Sequence, residues 1–514
     1  MSVITRRQFA AGAATMAGAA ALAACSAKSG GGTAGGNQPS KRADGYPDLT
    51  WTGTITMGAQ SYTPSVPGVN LAPGSAKLKA FGQIADDFTK LYPGITIKFL
   101  GSEYKYDPDQ MKTAAAGGQL PDVWWQQYAL VNSTFPKGVA TNLLDFASNP
   151  NPFVKDNKAF IDEFSPQVLS SVKPDSNTLY TNDGDYVGTA FFYNKEMFSD
   201  AGITDIPKTY QELLDDLQKL KDKGHTPSAL PGYSYGHSWL CRLFLPNFLG
   251  EDVCKKMAAY DGVDAGISYA DEAVAYKKGI LDARQNPKVL AWWPYAKEFF
   301  SFCDPTITAQ PANPPTGAPN PEKLMAAKKV AVIYDGTWAP TSIKAAGGTI
   351  EIGSFAWPSL KGIDQYATDL DTSACVGGPS AAWQYNMSTA RSDSTLKEKG
   401  KMDAVIAWMQ FFSTPERNSA VCNEFGSFLP TFVGSTPAPE MSSLAEIINQ
   451  PIYGTTAGQY FTTESADQIS KLFQQYVLNQ VDMNTVQTKY PQIIDKGFND
   501  YIKAHPIDFS KYPD

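Results

Sequence analysis

The chain has 514 residues and a formal net charge of −8 at pH 7. A chain of this length exceeds what one hydrophobic core organises, so we expect two large lobes or more. An acidic balance without a basic run argues against nucleic acid as a partner. Only three histidines and no Cys-x-x-Cys spacing are present. We therefore expect neither a metal site nor a cofactor.

The first 25 residues have the form of an export signal that ends in a lipid attachment site. Arg6-Arg7 is a twin-arginine pair, an Ala/Gly-rich apolar run follows, and Leu22-Ala23-Ala24-Cys25 has the form of a lipobox. The alternative is a chance Arg pair before an Ala-rich helix. The pattern predicts a signal peptide over 1–24 and acyl chains such as palmitate on Cys25. We expect a lipoprotein on the extracellular face of the cell membrane, attached through its lipid alone.

The composition of residues 25–50 predicts a flexible linker, because Ser, Gly, Ala and Pro cannot bury a core. Beyond it, strands and helices alternate. The expected elements of this block are a strand at 53–58, a helix from Phe81 to before Pro93, a strand at 95–99, a helix at 109–116 and a strand at 121–125. This alternation predicts a parallel α/β sheet, in which ligands bind beyond the carboxyl ends of the strands.

A second α/β block begins near residue 189. Its expected elements are a strand at 190–193, helices at 194–201 and from 207 to Gly224, a strand at 329–334, a helix at 404–412, and two or three helices within 466–505. Residues 311–321 are predicted to form a proline-rich surface loop.

Five cysteines remain besides Cys25, and their state is open. They are Cys241, Cys254, Cys303, Cys375 and Cys422. By loop length, Cys241 with Cys254 is the first candidate disulfide and Cys375 with Cys422 the second. The alternative is that all five are buried free thiols.

Several motifs, taken in order, resemble the family 1 extracellular solute-binding proteins of ABC importers, the relatives of maltose-binding protein. The motifs are Leu120-Pro121-Asp122-Val123, 192–198 followed by Ala201-Gly202, 207–213 running to 223–227, 332–338, 353–358, Gly377-Gly378 and 408–416. They cover about residues 51 to 435, and the last 80 or so match only as generic helices. The chain is longer than typical members, with extra length near 148–183 and 304–321 that we expect to widen the cleft.

The resemblance implies an α/β, two-lobed, type II periplasmic-binding-protein-like fold, with a mostly parallel sheet flanked by helices in each lobe and the ligand cleft at the hinge. The implied lobes are 51–185 plus 350–410, and 186–349 plus 411–514. It implies that a monomer captures a sugar by lobe closure and delivers it to an ABC permease. The protein would then bind its ligand without chemistry, as a transport component and not an enzyme.

Sugar rings have apolar faces and a rim of hydroxyls, so aromatic rings and polar side chains are the candidate ligand-binding residues. The resemblance implies that Trp338 is a cleft aromatic, with a core tryptophan as the alternative. It also places first-lobe contacts at Gln126 and Tyr128. Strand alternation makes Trp125 an alternative inward residue, and we expect Trp124 to lie in the core.

The remaining candidates come from their positions in the predicted elements. Trp239 lies on an aromatic-rich loop, where it stacks on a second sugar unit or packs within the loop. Gln60 and Glu103 follow strands of the first block. Asp335 is a turn former or a ligand-binding residue. Gly377 and Gly378 are expected to permit close backbone approach near the cleft or hinge. We expect His237 to be structural.

Three other functions compete with sugar import. A secreted glycoside hydrolase or polysaccharide lyase needs paired carboxylates, and no local motif pairs any two. A binding protein for a peptide, polyamine or metal would keep the fold and change the ligand. A sensor or adhesion lipoprotein could use the same fold.

Overall fold

The structure is a computed structural model that describes residues 40–72, 75–156, 158–173, 177–260, 266–312, 314–315, 317–379, 382–450 and 452–512. The predicted signal peptide, Cys25 and the linker up to residue 39 lie outside the described residues. Within the described ranges, no helix has both the length and the apolar character needed to cross a bilayer.

The strands are β1 Gly53–Met57, β2 Ile95–Phe99, β3 Val123–Trp125, β4 Thr181–Asp183, β5 Asp185–Asn194, β6 Ser228–Ala229, β7 Val332–Gly336, β8 Ile352–Phe355, β9 Gly377–Pro379, β10 Gln384–Met387 and β11 Leu429–Pro430. The α-helices are α1 Ala80–Leu91, α2 Pro108–Ala116, α3 Tyr128–Thr134, α4 Leu144–Ala147, α5 Pro166–Val172, α6 Lys195–Asp200, α7 Tyr210–Asp222, α8 His237–Leu249, α9 Glu251–Ala258, α10 Tyr269–Lys277, α11 Lys288–Ala291, α12 Trp293–Phe300, α13 Pro305–Thr308, α14 Pro321–Ala326, α15 Ala339–Ala345, α16 Lys401–Phe412, α17 Pro415–Phe425, α18 Thr463–Val477 and α19 Met483–Ala504. A π-helix spans Gly232–Gly236, and short 3₁₀-helices span Gln60–Tyr62, Phe160–Glu163, Ser394–Lys397, Pro439–Asn449, Gln459–Phe461 and Phe509–Lys511.

The chain divides into two compact units. The first contains residues up to Trp124 together with Pro136–Ile161 and Met387–Phe411, and the second contains Trp125–Phe135, Asp162–Asn386 and Phe412–Asp514. The lobe boundaries expected from the resemblance stay a prediction.

The strands β1, β2 and β3 pair in parallel, as the alternation of elements predicts. β1 runs beside β2 with Gly53 opposite Ile95 and Met57 opposite Phe99, and Met57 also lies opposite Val123 of β3. The 3.6-residue period of α1 buries Phe81, Ile84 and Phe88. Trp408 of α16 packs on this face, with its ring centroid 5.3 Å from that of Phe88. The sequence predicted these elements because each depends on the spacing of apolar side chains within a short stretch of the chain.

A buried ion pair holds β3 in the first unit. The Asp122 carboxylate lies 2.8 Å from the Lys401 ammonium, and the two side chains are only 1% and 6% exposed. The second carboxylate oxygen of Asp122 accepts hydrogen bonds from the Thr56 amide and hydroxyl, both at 2.8 Å. A buried carboxylate therefore has the charged partner and the donors that its desolvation requires.

Residues 41–47 make specific contacts with the first unit, although composition predicted a flexible linker through residue 50. Arg42 donates to the Leu91 carbonyl at 2.9 Å, and Tyr92 donates to the Pro47 carbonyl at 3.1 Å. The Tyr46 ring stacks on Phe153 at 5.4 Å. Composition alone could not indicate these few contacts, and the flexible linker over 25–50 stays a prediction.

The sheet of the second unit is mixed, and this corrects the expectation of mostly parallel strands in each lobe. The ten-residue strand β5 pairs antiparallel with β7, β8, β9 and β11, whereas β6 and β7 pair in parallel. β4 and β10 form a further antiparallel pair. An apolar run identifies β5 as a buried strand, but strand direction depends on distant segments that pair along its length.

Helices around β5 and β7 form the large core of the second unit. The apolar face of α7 buries Leu213, Leu217 and Leu220, as its period predicts. Trp292 and Trp293 are fully buried within this core. The C-terminal segment forms two long helices, α18 and α19, in agreement with the two or three predicted.

All five described cysteines are buried free thiols, which decides between the two alternatives. Neither Cys241 with Cys254 nor Cys375 with Cys422 forms a disulfide. Burial raises the pKa of the Cys241 and Cys254 thiols. Thiols held protonated in an apolar core are poor nucleophiles and act here as small apolar side chains.

Candidate functional site

The second unit brings two predicted ligand-binding residues, Trp239 and Trp338, next to each other. Their ring centroids lie 6.3 Å apart with the planes at 62°. The Tyr235 ring stacks on Trp239 at 4.2 Å and 23°. All three side chains are half-buried. We call Tyr235, Trp239 and Trp338 the aromatic surface. The sequence analysis overlooked Tyr235, although it lies in the same aromatic-rich segment as Trp239.

Trp239 lies on a helix and not on the loop expected from the sequence. The π-helix Gly232–Gly236 runs directly into α8, so Tyr235 and Trp239 lie on one side, four residues apart. Fully buried Tyr334 of β7 supports Trp239 from behind at 5.9 Å. The pair is therefore attached to the core of the unit, and its outer part stays accessible.

The position of Trp338 depends on a glycine at the end of β7. A Cβ atom on Gly336 would lie 2.2 Å from Cζ3 of the Trp338 ring. Only a residue without a side chain lets the indole lie this close to the strand backbone. Trp338 precedes α15, which begins with Ala339 and Pro340. The spacing of Gly336 and Trp338 in the motif at 332–338 thus has a steric reason.

Asp335 is a buried residue of strand β7, so of the two alternatives the turn former is excluded. Its carboxylate accepts a hydrogen bond from the Gly336 amide at 2.7 Å, and the residue is 5% exposed. Burial, and then the nearby Glu322 carboxylate, raise the pKa of Asp335 well above its usual range. Its contact with ligand stays a prediction.

Gln126 and Tyr128 lie beside β10 in the second unit. The Gln126 amide donates to the Gln384 carbonyl at 3.2 Å, and the Tyr128 amide donates to the Gln384 side-chain oxygen at 2.8 Å. Gln126 is 2% exposed, and its own side-chain oxygen accepts from the Gln127 amide at 3.0 Å. This local hydrogen bond thus occupies the oxygen of the Gln126 side-chain amide.

The other residues of this segment differ in exposure. Tyr128 is half-buried at the start of α3, and burial and the nearby Asp183 carboxylate raise its pKa to about 12. A phenol with this pKa stays protonated and can donate a hydrogen bond. Trp125 is half-buried, whereas Trp124 is fully buried, which confirms Trp124 as a core residue.

Gln60 and Glu103 belong to the first unit, and both bind nearby backbone. The Gln60 side-chain oxygen accepts from the Ser61 amide, and the Gln60 amide donates to the Tyr106 hydroxyl at 3.0 Å. Glu103 accepts from the Gly101 amide at 3.0 Å. Tyr106 packs edge-on against Tyr104 at 5.1 Å. The sequence analysis did not single out Tyr106, because no periodic pattern marks its segment.

Gly377 and Gly378 permit a close backbone approach, and the approached segment is β5. β9 pairs with Val187 and Gly188, and φ is +126° at Gly377 and +148° at Gly378. A Cβ on Gly377 would lie 2.0 Å from the Val187 carbonyl oxygen. These glycines therefore join two strands of the second unit. A role in ligand contact stays a prediction.

A family model described as bacterial extracellular solute-binding protein matches residues 83–449. No curated protein matches the chain in sequence. Among the described residues, no group of three or more His, Cys, Asp or Glu could hold a metal ion.

Solved structures of sugar-binding proteins have a similar fold. RafE in complex with raffinose matches with a TM-score of 0.52 and 18% identity over 88% of this chain and 100% of that chain. A chitin oligosaccharide binding protein matches with a TM-score of 0.52 and 19% identity over 87% and 99%. The cyclic alpha-maltosyl-1,6-maltose binding protein from Arthrobacter globiformis matches with a TM-score of 0.55 and 13% identity over 88% and 100%. These likenesses confirm the two-lobed α/β fold.

Proposed function

Because the chain belongs to the bacterial extracellular solute-binding proteins, we propose that it captures a carbohydrate, in particular an oligosaccharide, and delivers it to an ABC permease. The aromatic surface is the observation that carries this proposal. Tyr235, Trp239 and Trp338 present three half-buried rings within 6.3 Å of their neighbours. Aromatic faces cover the apolar faces of sugar rings, and neighbouring polar groups satisfy the hydroxyls.

Several polar side chains are candidates for hydroxyl partners. They are Gln126, Tyr128, Gln60, Glu103 and Asp335, with Trp125 as a further aromatic. An unmet hydroxyl partner in a dry site costs about 1–3 kcal/mol, so such groups would provide specificity. The structural neighbours named for raffinose, chitin oligosaccharides and a cyclic maltosyl-maltose support a carbohydrate ligand.

The proposal includes capture by closure of lobes 51–185 plus 350–410 and 186–349 plus 411–514. Ligand that binds the closed form better shifts the population toward it. A dissociation constant near 1 μM, about −8.2 kcal/mol, would allow both capture and release. The protein would act as a monomer, and its role is binding, with no catalytic step.

A sugar-panel thermal shift tests the ligand class. We would use the full chain carrying Cys25→Ser, with mono- and oligosaccharides and with peptides and metals as controls. Ligand at 100 times its dissociation constant should stabilise by about 2.7 kcal/mol. A saturable shift with the sugar recovered unchanged supports a binding protein. Consumption of the sugar would instead favour the hydrolase or lyase, and a shift with a control alone would overturn the ligand class.

A matched pair of variants then tests the aromatic surface. Trp338→Ala should weaken sugar binding about tenfold or more, because a stacking ring at a binding hot spot is lost. Tyr269→Ala is the control, since Tyr269 is 45% exposed and lies outside the aromatic surface. Equal affinities of the two variants, measured by titration calorimetry, would count against the proposed site.

We also propose export through the twin-arginine signal and attachment through lipid on Cys25. Replacement of Arg6 and Arg7 by Lys should leave the protein in the cytoplasm. Cys25→Ser should abolish labelling by radioactive palmitate and release the exported protein from membranes. Labelling that persists in Cys25→Ser would contradict the anchor. Stimulation of a permease by the sugar-loaded protein would distinguish an importer component from a sensor or an adhesion lipoprotein.

A further inference from the structure

The helical turn that carries Tyr235 and Trp239 has a buried histidine on its opposite side. Tyr235 and Trp239 are four residues apart and stack on each other, whereas His237 lies between them in sequence. A two-residue step in a helix turns the side chain by about 200°, so His237 points away from the aromatic pair. His237 is 1% exposed, in agreement with this direction.

One hydrogen bond fixes the His237 ring within an apolar cage. Nδ1 lies 2.9 Å from the side-chain oxygen of Gln459, whose amide nitrogen donates to the Ser470 hydroxyl at 3.0 Å. The Gln459 oxygen is thus the acceptor, and we place the His237 proton on Nδ1. The rings of Trp292, Trp293 and Phe473 surround the imidazole at 5.4–5.5 Å.

Helix α18 also holds the π-helix that precedes His237. Tyr233 donates a hydrogen bond to the Asp467 carboxylate. A Cβ on Gly236 would lie 3.0 Å from the Phe473 ring, and one on Gly232 would lie 2.7 Å from the Thr308 carbonyl oxygen. Gln474 donates to that same carbonyl at 2.8 Å. The turn is therefore packed closely against Phe473 of α18 at Gly236 and against Thr308 of α13 at Gly232, and an added Cβ would require a shift at either position.

The residues that bind this turn through side-chain hydrogen bonds, and the ring against Gly236, lie beyond the part of the chain that the family model matches. The match ends at residue 449, whereas Gln459, Asp467, Phe473 and Gln474 all follow it. A π-helix carries one more residue per hydrogen-bonded turn than an α-helix; it is rare, and it occurs frequently at functional sites. Its persistence here requires support from surrounding structure, and the C-terminal segment supplies that support.

We propose that residues 459–474 position the Tyr235–Trp239 half of the aromatic surface, with His237 and Tyr233 as the positioning residues that connect them, and so set which sugars the surface accepts. This rests on the proposed sugar-binding function. His237 and Tyr233 touch the C-terminal segment and act on ligand only through the rings on the other side of their turn.

Fluorine NMR of the full chain carrying Cys25→Ser, labelled with 5-fluorotryptophan, tests the positioning without any ligand. The resonance that is missing from the spectrum of Trp239→Phe belongs to Trp239, one of the ten tryptophans. His237→Leu removes the Nδ1–H donor and should shift or broaden the Trp239 resonance. His237→Asn keeps a donor at the equivalent atom and should restore a resonance close to the original one.

Two further variants keep the test decisive. Tyr233→Phe removes only the hydrogen bond to Asp467 and should also move the Trp239 resonance, even where His237→Leu fails to fold. Val486→Ala is the control, since Val486 is fully buried in α19 outside the turn. It should lower the melting temperature and leave the Trp239 resonance in place. A Trp239 resonance that stays unchanged in Tyr233→Phe and His237→Leu would overturn the proposal.

Sugar titrations of the same variants test the effect on specificity. We expect His237→Leu and Tyr233→Phe to weaken binding of the preferred oligosaccharide about tenfold and of a monosaccharide much less, with His237→Asn near the original affinity. Equal weakening for all sugars would contradict a role in specificity. If no sugar binds the unaltered protein, the proposed function fails, whereas the fluorine spectra still decide whether residues 459–474 position Trp239.

Discussion

One buried titratable side chain in each unit is held in a way opposite to the other. In the first unit, Asp122 has a buried ammonium 2.8 Å away and hydrogen bonds from Thr56. In the second unit, His237 has one neutral hydrogen-bond partner and a cage of aromatic rings. The stability of a buried charged group depends on its partner, whereas the stability that a buried neutral imidazole contributes depends on pH. We therefore expect the first unit to lose stability when the Lys401 partner of Asp122 is removed. We expect the second unit to lose stability when acid protonates His237.

The largest expected effect is the loss of the buried ammonium. Lys401→Met should lower the free energy of unfolding by about 3–5 kcal/mol, because it leaves the Asp122 carboxylate buried without a counterion. Denaturant unfolding measures this change. Lys90→Met is the control, since Lys90 pairs with Asp87 at the surface, where such pairs contribute about 0–1 kcal/mol. The double variant Asp122→Asn with Lys401→Met should recover part of the lost stability. Equal losses of stability for Lys401→Met and Lys90→Met would contradict a difference between the buried and the surface ion pair.

The next effect is acid destabilisation of the second unit. Burial lowers the pKa of His237 from 6.5 to about 4. Because the unfolded chain takes up the proton first, the stability supplied by the neutral ring is complete above pH 6.5 and is lost as pH falls toward 4. The loss should reach about 3 kcal/mol.

The non-titrating variant His237→Asn isolates this contribution. The difference in stability between the original protein and the variant should shrink between pH 6.5 and 4, as measured by thermal unfolding at several pH values. A difference that stays constant over that range would show that His237 does not titrate as its burial implies.

A smaller effect is expected from a methyl group beneath Trp338. Gly336→Ala should cost about 1–3 kcal/mol, because the new Cβ overlaps the indole and one of them must move. Gly117→Ala in the first unit is the matched control, since its φ is −83° and the nearest atom to a new Cβ lies 3.5 Å away. Melting temperatures compare the two, and a similar change in both would contradict the close contact at Gly336.

The smallest effect concerns a helix cap. Thr209 accepts a hydrogen bond from the Glu212 amide at 3.2 Å, and the Glu212 carboxylate accepts from the Thr209 amide at 3.1 Å, at the start of α7. Thr209→Ala should cost about 1 kcal/mol in the second unit, while Thr209→Ser keeps the cap and should cost little. If chemical denaturation gives the two variants the same midpoint, the cap contributes nothing.

Much of the fold follows from local sequence patterns. The apolar period of α1 and α7 and the alternation of strands and helices in the first unit appear in the structure as predicted. The motif at 332–338 directed attention to Trp338, whose contact with ligand stays a prediction, but not to Gly336 as its steric partner. The mixed sheet of the second unit was predicted incorrectly, because the direction of its strands depends on segments far away in sequence.

The candidate site divides in the same way. Aromatic residue type selected Trp239 and Trp338, whereas their proximity at 6.3 Å and the stacking of Tyr235 depend on how α8 and β7 pack. His237 looked partnerless in sequence because Gln459 is 222 residues away. No local pattern could have connected them.

The sequence by itself determined the family, the alternation of strands and helices, and the residue types available to bind a sugar, since each depends on short-range periodicity or ordered motifs. Tertiary structure alone decided the direction of the strands along β5, the free state of the five thiols, and the contacts of residues 459–474 with the turn that carries Tyr235 and Trp239. The reason is physical: periodicity specifies which face of an element is apolar, but the partner that covers that face is chosen by packing and hydrogen bonding between residues hundreds of positions apart.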